Sequence, residues 1–363
     1  MRRRHPCPGG RSGGGACSRQ YRNRQPAGPA CLSITCGVIG GCRAAPQNRC
    51  TPPMEHDMSS LHAFPHAPHA WSRLPPRHLQ AGDAQLAFRI SGQGPALMLV
   101  HGFPLHGATW RRVLPLLSAR HTCIVVDLAG CGDSEWDPRT DFGFQAHARR
   151  LQALADELAL PAYAVLAHDT GGTVARCLAL ADPRVQALAL INTEMPGHRP
   201  PWVRLYQQTL GWPGADRVLR TLLRWPAFVR SPMGFGGAFC DLGLLAPGGE
   251  VFETFVRPLI RSPRRAEGVI RYLRGISWEV VDAMAGVHPR LRMPVQLVWG
   301  EDDPTFPIRL AREMAQQFAD GRGLVAIAGT RLLPHEERPA EVAQAVLDFL
   351  ASVAAPSALG ARR

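Results

Sequence analysis

The chain has 363 residues, 45% of them hydrophobic, and no apolar run of about 18 residues, so no helix is expected to span a membrane. Its formal charge of +12 is uneven, with +8 on residues 1–75 and +4 on residues 76–363, and every basic residue is Arg. The mildly basic remainder offers no footprint for nucleic acid, so the expected partner is a small-molecule substrate, with neither nucleic acid nor membrane.

Residues 1–75 are rich in Arg, Gly, Pro and Cys and show no apolar periodicity, which predicts a disordered extension. The stretch "CLSITCGVIGGC" after an Arg-rich lead leaves a signal or transit peptide open as an alternative, and Met54 and Met58 offer later starts. Cys7, Cys17, Cys31, Cys36, Cys42 and Cys50 form no paired C-x-x-C knuckles, so neither zinc nor another metal is expected. Cys123, Cys131, Cys177 and Cys240 are scattered through apolar or Gly-rich sequence and read as buried thiols of a reducing, cytoplasmic protein.

From about residue 80 the texture becomes an alternation. The runs "AFRIS", "ALMLVHG", "TCIVVDL", "YAVLAHD" and "VQALALINTE", and later "VQLVWG" and "LVAIAG", read as strands. Most lack polar alternation, as strands covered on both faces should. The segments "TWRRVLPLLSAR", "QAHARRLQALADELAL", "TVARCLALA", "IRLAREMAQQFA" and "PAEVAQAVLDFLAS" read as helices. Strand and helix in turn predict an α/β protein with a mostly parallel sheet flanked by helices. The core is expected over 76–194 and 291–355. Between them, residues 195–290 are helical, hold Trp202, Trp212, Trp225 and Trp278, and predict a cap inserted over the carboxyl ends of the strands.

Three stretches carry candidate chemistry. "AHDTGG" places Asp169 between the strand "YAVL" and a helix, with Ala167 and Gly171 as small flanks, the pattern of a turn that lifts a nucleophile above a sheet. A plain helix N-cap is the competing reading. "HGFP" follows the strand "ALMLV", and the backbone amides of Phe103 and Thr170 are expected to form an oxyanion hole. In "VWGEDDPTFP", Asp303 is the expected acid that orients a histidine, with Asp302 next and Glu194, after "LALIN", third.

The order of "HGFPLHGATW", "DLAGCGDS", "AHDTGG", "WGEDDP" and "HEERPAEVAQAVLDFL" resembles the α/β-hydrolase family, in its haloalkane dehalogenase and epoxide hydrolase branch. The resemblance implies an α/β-hydrolase fold with a helical cap, no cofactor, and a hydrolase that forms an alkyl ester on Asp169 from a small apolar epoxide or alkyl halide. A histidine–aspartate pair then activates water to cleave the ester. This chain departs from the branch in two places. Arg331 stands where the histidine is usual, so His335 is expected to serve as the base with Asp303. Thr170 stands where the dehalogenases carry Trp. The resemblance further implies substrate contacts from the cap residues Tyr206 and Tyr272, and Trp110 is expected to line the pocket. The alternative is a catalytically impaired homologue that binds a small ligand, because Arg331 replaces the usual base.

Overall fold

The computed structural model describes residues 71–354. The expected disordered extension therefore falls almost entirely outside the described residues. The strands are β1 (Arg77–Ala81), β2 (Ala84–Ser91), β3 (Ala96–Val100), β4 (Thr122–Asp127), β5 (Glu135–Trp136), β6 (Tyr163–His168), β7 (Val185–Ile191), β8 (Val295–Gly300) and β9 (Gly321–Ile327). They form one sheet in the order β1-β2-β4-β3-β6-β7-β8-β9, with β5 pairing β2. β1, β2 and β5 pair antiparallel, and everything from β4 to β9 is parallel.

The apolar strands are explained by this burial. Leu97 and Leu99 of β3 join one core cluster, whereas Met98 and Val100 join the other, so alternate side chains fill both faces. Helices α2 (Phe144–Glu157) and α3 (Thr170–Ala181) cover one face through Leu151, Leu154, Val174 and Leu178. On the other face lie α1 (Leu114–Leu117), and α12 (Pro339–Ala354) through Val342, Val346 and Leu350.

Between β7 and β8 the chain leaves the sheet for α4 (Pro201–Thr209), α5 (Ala215–Leu222), α6 (Pro226–Val229), α7 (Arg257–Arg261), α8 (Pro263–Gly275) and α9 (Trp278–Val287). The remaining helices are α10 (Ile308–Ala315) and α11 (Pro334–Glu337).

Two local readings of the sequence need correction. "TWRRVLPLLSAR" is not one helix but a 3₁₀ turn, Gly107–Trp110, followed by the four-residue α1. Pro115 opens α1, where its missing N–H is tolerated. Arg111 and Arg112, between the 3₁₀ turn and α1, both pair with Glu250 and Glu336. Cys240 is exposed, whereas Cys123 and Cys131 are buried as expected. Among the described residues no helix is long and apolar enough to cross a membrane.

Strand order reverses between β3 and β6. From β3 the chain moves to β4 on one side, then returns to place β6 on the other. In open parallel sheets such a switch opens a crevice at the carboxyl ends of the two strands. "HGFP" follows β3 and "AHDTGG" ends β6, so the topology brings the two stretches together.

Candidate active site

Asp169 occupies the turn between β6 and α3 with φ 51° and ψ −131°, a conformation that costs a non-glycine residue energy. Its backbone N–H bonds the carbonyls of Ile191 and Asn192, which pin the turn to the end of β7. A Cβ at Gly171 would collide with the His101 carbonyl, and one at Gly102 would collide with the Asp169 side chain. Both positions allow the two loops to approach backbone to side chain. Asp169 makes no N-capping bond through its side chain, so the plain-cap reading is set aside.

The Phe103 amide donates to Oδ2 of Asp169 at 2.8 Å, and the Thr170 amide also favours the charged form of this carboxyl. These are the two donors expected to form the oxyanion hole. The Thr170 hydroxyl accepts from Phe103 N at 2.9 Å and lies 2.8 Å from the Tyr272 hydroxyl, so it is engaged with protein on both counts. His101 bonds backbone only, donating Nδ1–H to the Gly102 carbonyl and accepting the Leu128 amide at Nε2.

Asp169 forms part of the wall of a cavity of about 690 Å³ beneath the cap. Its lining is overwhelmingly apolar and includes Leu105, Trp202, Leu222, Ile270 and Trp278. Trp202 and Trp278 therefore face ligand space. Burial raises the Asp169 carboxyl well above the usual carboxylate range, and the Glu194 and Asp303 carboxylates raise it further. The two amides oppose that rise.

Glu194 also lines the cavity and is 2% exposed. Its Oε2 accepts from Thr173 Oγ1 at 2.8 Å and from Thr193 Oγ1 at 3.0 Å, while its Oε1 has no partner. Behind it Arg176, fully buried, bonds Thr173, Thr193 and the Glu194 carbonyl. Burial pushes the Glu194 carboxyl up, and Arg176 draws it down. Thr193 Oγ1 also lies 2.8 Å from the Asp169 carbonyl, so its one proton is shared between the Asp169 backbone and the Glu194 carboxyl.

Asp303 is buried just behind the cavity wall. Its Oδ2 accepts from Asn192 Nδ2 and its Oδ1 from the Thr305 amide, each at 2.7 Å, and burial pushes its carboxyl up to about 6. Asp302 borders the cavity.

The expected base is not there. His335 is fully buried, with Nε2 2.7 Å from Thr109 Oγ1 and its ring stacked on Trp110 at 4.8 Å. It neither lines the cavity nor bonds Asp303. Pro334 opens α11 and directs His335 into the core beneath the 3₁₀ turn, so it cannot replace the base missing at Arg331. Burial holds it neutral. His168 borders the cavity, but it is fully buried and donates Nε2–H to the Leu332 carbonyl. Arg331 lines the cavity and reaches the Gly236 carbonyl of the cap.

Two further expected contacts are corrected. Trp110 is fully buried against His335, on the far side of the loop from the cavity. Tyr272 is fully buried between Thr170, Phe103 and His147 and does not line the cavity. Tyr206 does line it, with its hydroxyl bonded to the Met233 carbonyl.

The sequence profile described as the alpha/beta hydrolase fold matches residues 95–337, which span β3 to α11 and every element of this site. The chain belongs to the α/β-hydrolase family. Among its relatives, the magnesium-chelatase 30 kDa subunit of Rhodobacter capsulatus is 29% identical over 262 residues, 71% of this chain and 87% of that one. A soluble epoxide hydrolase of Corynebacterium sp. strain C12 is 40% identical over 91 residues, 25% of this chain and 32% of its own. The crystal structure of an alpha/beta hydrolase fold protein from Burkholderia ambifaria superposes with a TM-score of 0.63 at 26% identity, covering 76% of this chain and all of that one.

Proposed function

We propose that the protein is a hydrolase of apolar epoxides in which Asp169 is the nucleophile and Glu194, in place of a histidine, moves the protons. The observation that carries this reading is the unpartnered, buried Oε1 of Glu194 on the wall that also presents Asp169. Two buried carboxyls that repel each other hold one proton between them over a wide pH range. Burial and the Glu194 charge raise Asp169, Arg176 draws Glu194 down, and the reaction uses the form in which the Phe103 and Thr170 amides hold Asp169 ionised and the shared proton is on Glu194.

In the first step Asp169 attacks a ring carbon, the carbon–oxygen bond breaks, and the freed oxygen takes the proton of Glu194. The product is a hydroxyalkyl ester with Glu194 ionised. Esterification removes the negative charge beside Glu194, and the ester's own carbonyl oxygen lies where Phe103 and Thr170 donate. In the second step Glu194 takes a proton from water as the water oxygen attacks Cγ of Asp169. Phe103 and Thr170 hold the resulting oxyanion. Collapse breaks the ester bond, and the departing alkoxide takes the proton from the regenerated Asp169 carboxyl. A diol leaves, Asp169 is ionised and Glu194 is protonated again.

An epoxide fits better than an alkyl halide. Beside the nucleophile stands the Thr170 hydroxyl, already in contact with the Phe103 amide and the Tyr272 hydroxyl, in place of an indole N–H that would hold a departing halide. A cavity of about 690 Å³ suits a ligand bulkier than the small electrophile expected from the sequence. The epoxide hydrolase among the relatives supports the class, over a short stretch of this chain.

His168, the one imidazole lining the cavity among the described residues, is fully buried and tied to the Leu332 carbonyl, which favours a second reading, a homologue that binds an apolar ligand without turning it over. Single turnover in ¹⁸O-water separates the two. The ester route gives unlabelled diol in the first turnover and one labelled oxygen on Asp169. Labelled diol in that first turnover contradicts the ester route, and no diol from any of a panel of bulky epoxides supports the binding reading.

A further inference from the structure

The large apolar side chains that the fold leaves in solvent are gathered, but for Leu180, in one segment of the chain. Leu205, Trp212, Val218, Trp225 and Met233 all belong to the cap, and Leu180 is the remaining one among the described residues. Trp212 is 76% exposed and Trp225 59%, values that a folded protein rarely grants to two such rings so close in sequence. The same segment exposes Arg204, Arg217, Arg224 and Arg230, with Asp216 as its sole acid. None of these four guanidinium groups has an ion-pair partner among the described residues; the neighbouring cap pairs run instead between Arg199 and Asp282 and between Arg257 and Glu253.

The position of this face supplies a second observation. Trp212, Val218 and Met233 are exposed and also line the cavity, so they form its rim. The apolar cavity opens through the apolar, Arg-bearing face.

We infer that the cap face around Trp212 and Trp225 docks on the surface of an anionic lipid bilayer, so that an apolar ligand passes between the bilayer and the cavity. Indole rings partition to the boundary between headgroups and acyl chains, and guanidinium groups between them pair with lipid phosphates. A nucleic-acid duplex would match the Arg residues but leave the Trp rings in water. Residues 1–75 carry +8, so like charge opposes them as a cover for this face. The inference does not depend on the chemistry at Asp169 and differs from the membrane-free partner expected from the sequence.

The test uses the full chain with vesicles of phosphatidylcholine and phosphatidylglycerol whose acyl chains carry bromine, which quenches tryptophan on contact. Quenching is expected on mixed vesicles, to weaken at least tenfold in apparent affinity on pure phosphatidylcholine, and to fall as salt rises. The double variant Trp212→Ser/Trp225→Ser should keep its circular dichroism spectrum and lose the quenching. The quadruple variant Arg204→Gln/Arg217→Gln/Arg224→Gln/Arg230→Gln should keep both Trp residues and bind mixed vesicles at least tenfold more weakly. Replacing the ten Arg of residues 1–75 by Gln should leave the quenching in place. Quenching that survives loss of Trp212 and Trp225, or that disappears with the N-terminal Arg residues alone, overturns the inference. So does a dimer, seen by light scattering, that the Trp variant dissociates while the unaltered chain shows no quenching.

Discussion

The Phe103 amide, 66 residues earlier in the chain, donates at 2.8 Å to Oδ2 of Asp169. This contact fixes which oxygen of the carboxyl faces the protein and leaves the other toward the cavity. It also sets a stability cost, because the carboxyl is held in an apolar wall.

Asp169→Asn removes the proposed nucleophile and should reduce ester formation below detection. Its effect on stability should have the opposite sign. The folded pKa of Asp169 is raised, so the carboxyl's favourable contribution is complete in acid, where it is protonated folded and unfolded alike, and is lost as pH rises through the folded value. The variant should therefore be more stable than the parent above neutral pH, by about 0.5–2 kcal/mol, with the gap closing toward pH 4. Urea unfolding across that range measures it, and a gap that does not change with pH counts against a raised Asp169.

Asp303 gives a second pH signature. Burial raises its carboxyl to about 6, so the stabilisation it contributes is present in acid and is lost as pH rises from its ordinary 3.8 through about 6. Its ¹³C carboxyl resonance should titrate with a midpoint near 6, and Asp303→Asn should flatten the stability profile over that interval. A midpoint near the ordinary value would mean that water reaches the group.

His335 should matter for stability and not for chemistry. His335→Asn removes the stacking on Trp110 and disturbs the bond to Thr109, at a cost of about 1–3 kcal/mol. The lifetime of an ester on Asp169 and its pH profile should stay within twofold of the parent. A lengthened lifetime would return His335 to the role expected from the sequence.

Tyr272→Phe removes the hydroxyl 2.8 Å from Thr170 without changing the cavity wall. It should cost about 1 kcal/mol of stability and leave KM unchanged. A raised KM at unaltered kcat would place this hydroxyl in contact with substrate.

The sheet was legible because its strands are apolar on both faces, and such runs separated by amphipathic segments have few other solutions. Asp169 was legible because a small-residue turn between strand and helix announces itself locally. Where the loop histidine points was not legible. Arg331 and His335 are four residues apart in one loop, and only Pro334 and the start of α11 decide that the imidazole enters the core and the guanidinium faces the cavity. Glu194 was visible as an acid at a strand end, but its free Oε1 depends on Thr173, Thr193 and Arg176 engaging the other side of the residue. Trp110 and Tyr272 show the same limit, since an aromatic ring's facing is settled by packing between elements distant in sequence.

The most direct test of the carboxyl pair is the lifetime of the ester, followed by intact mass after mixing the full chain with a bulky apolar epoxide. The account predicts a transient adduct on Asp169 in the parent chain and a long-lived one, or slowed formation followed by trapping, in Glu194→Gln. Equal adduct lifetimes in the two proteins, with Asp169 modified in both, would contradict it.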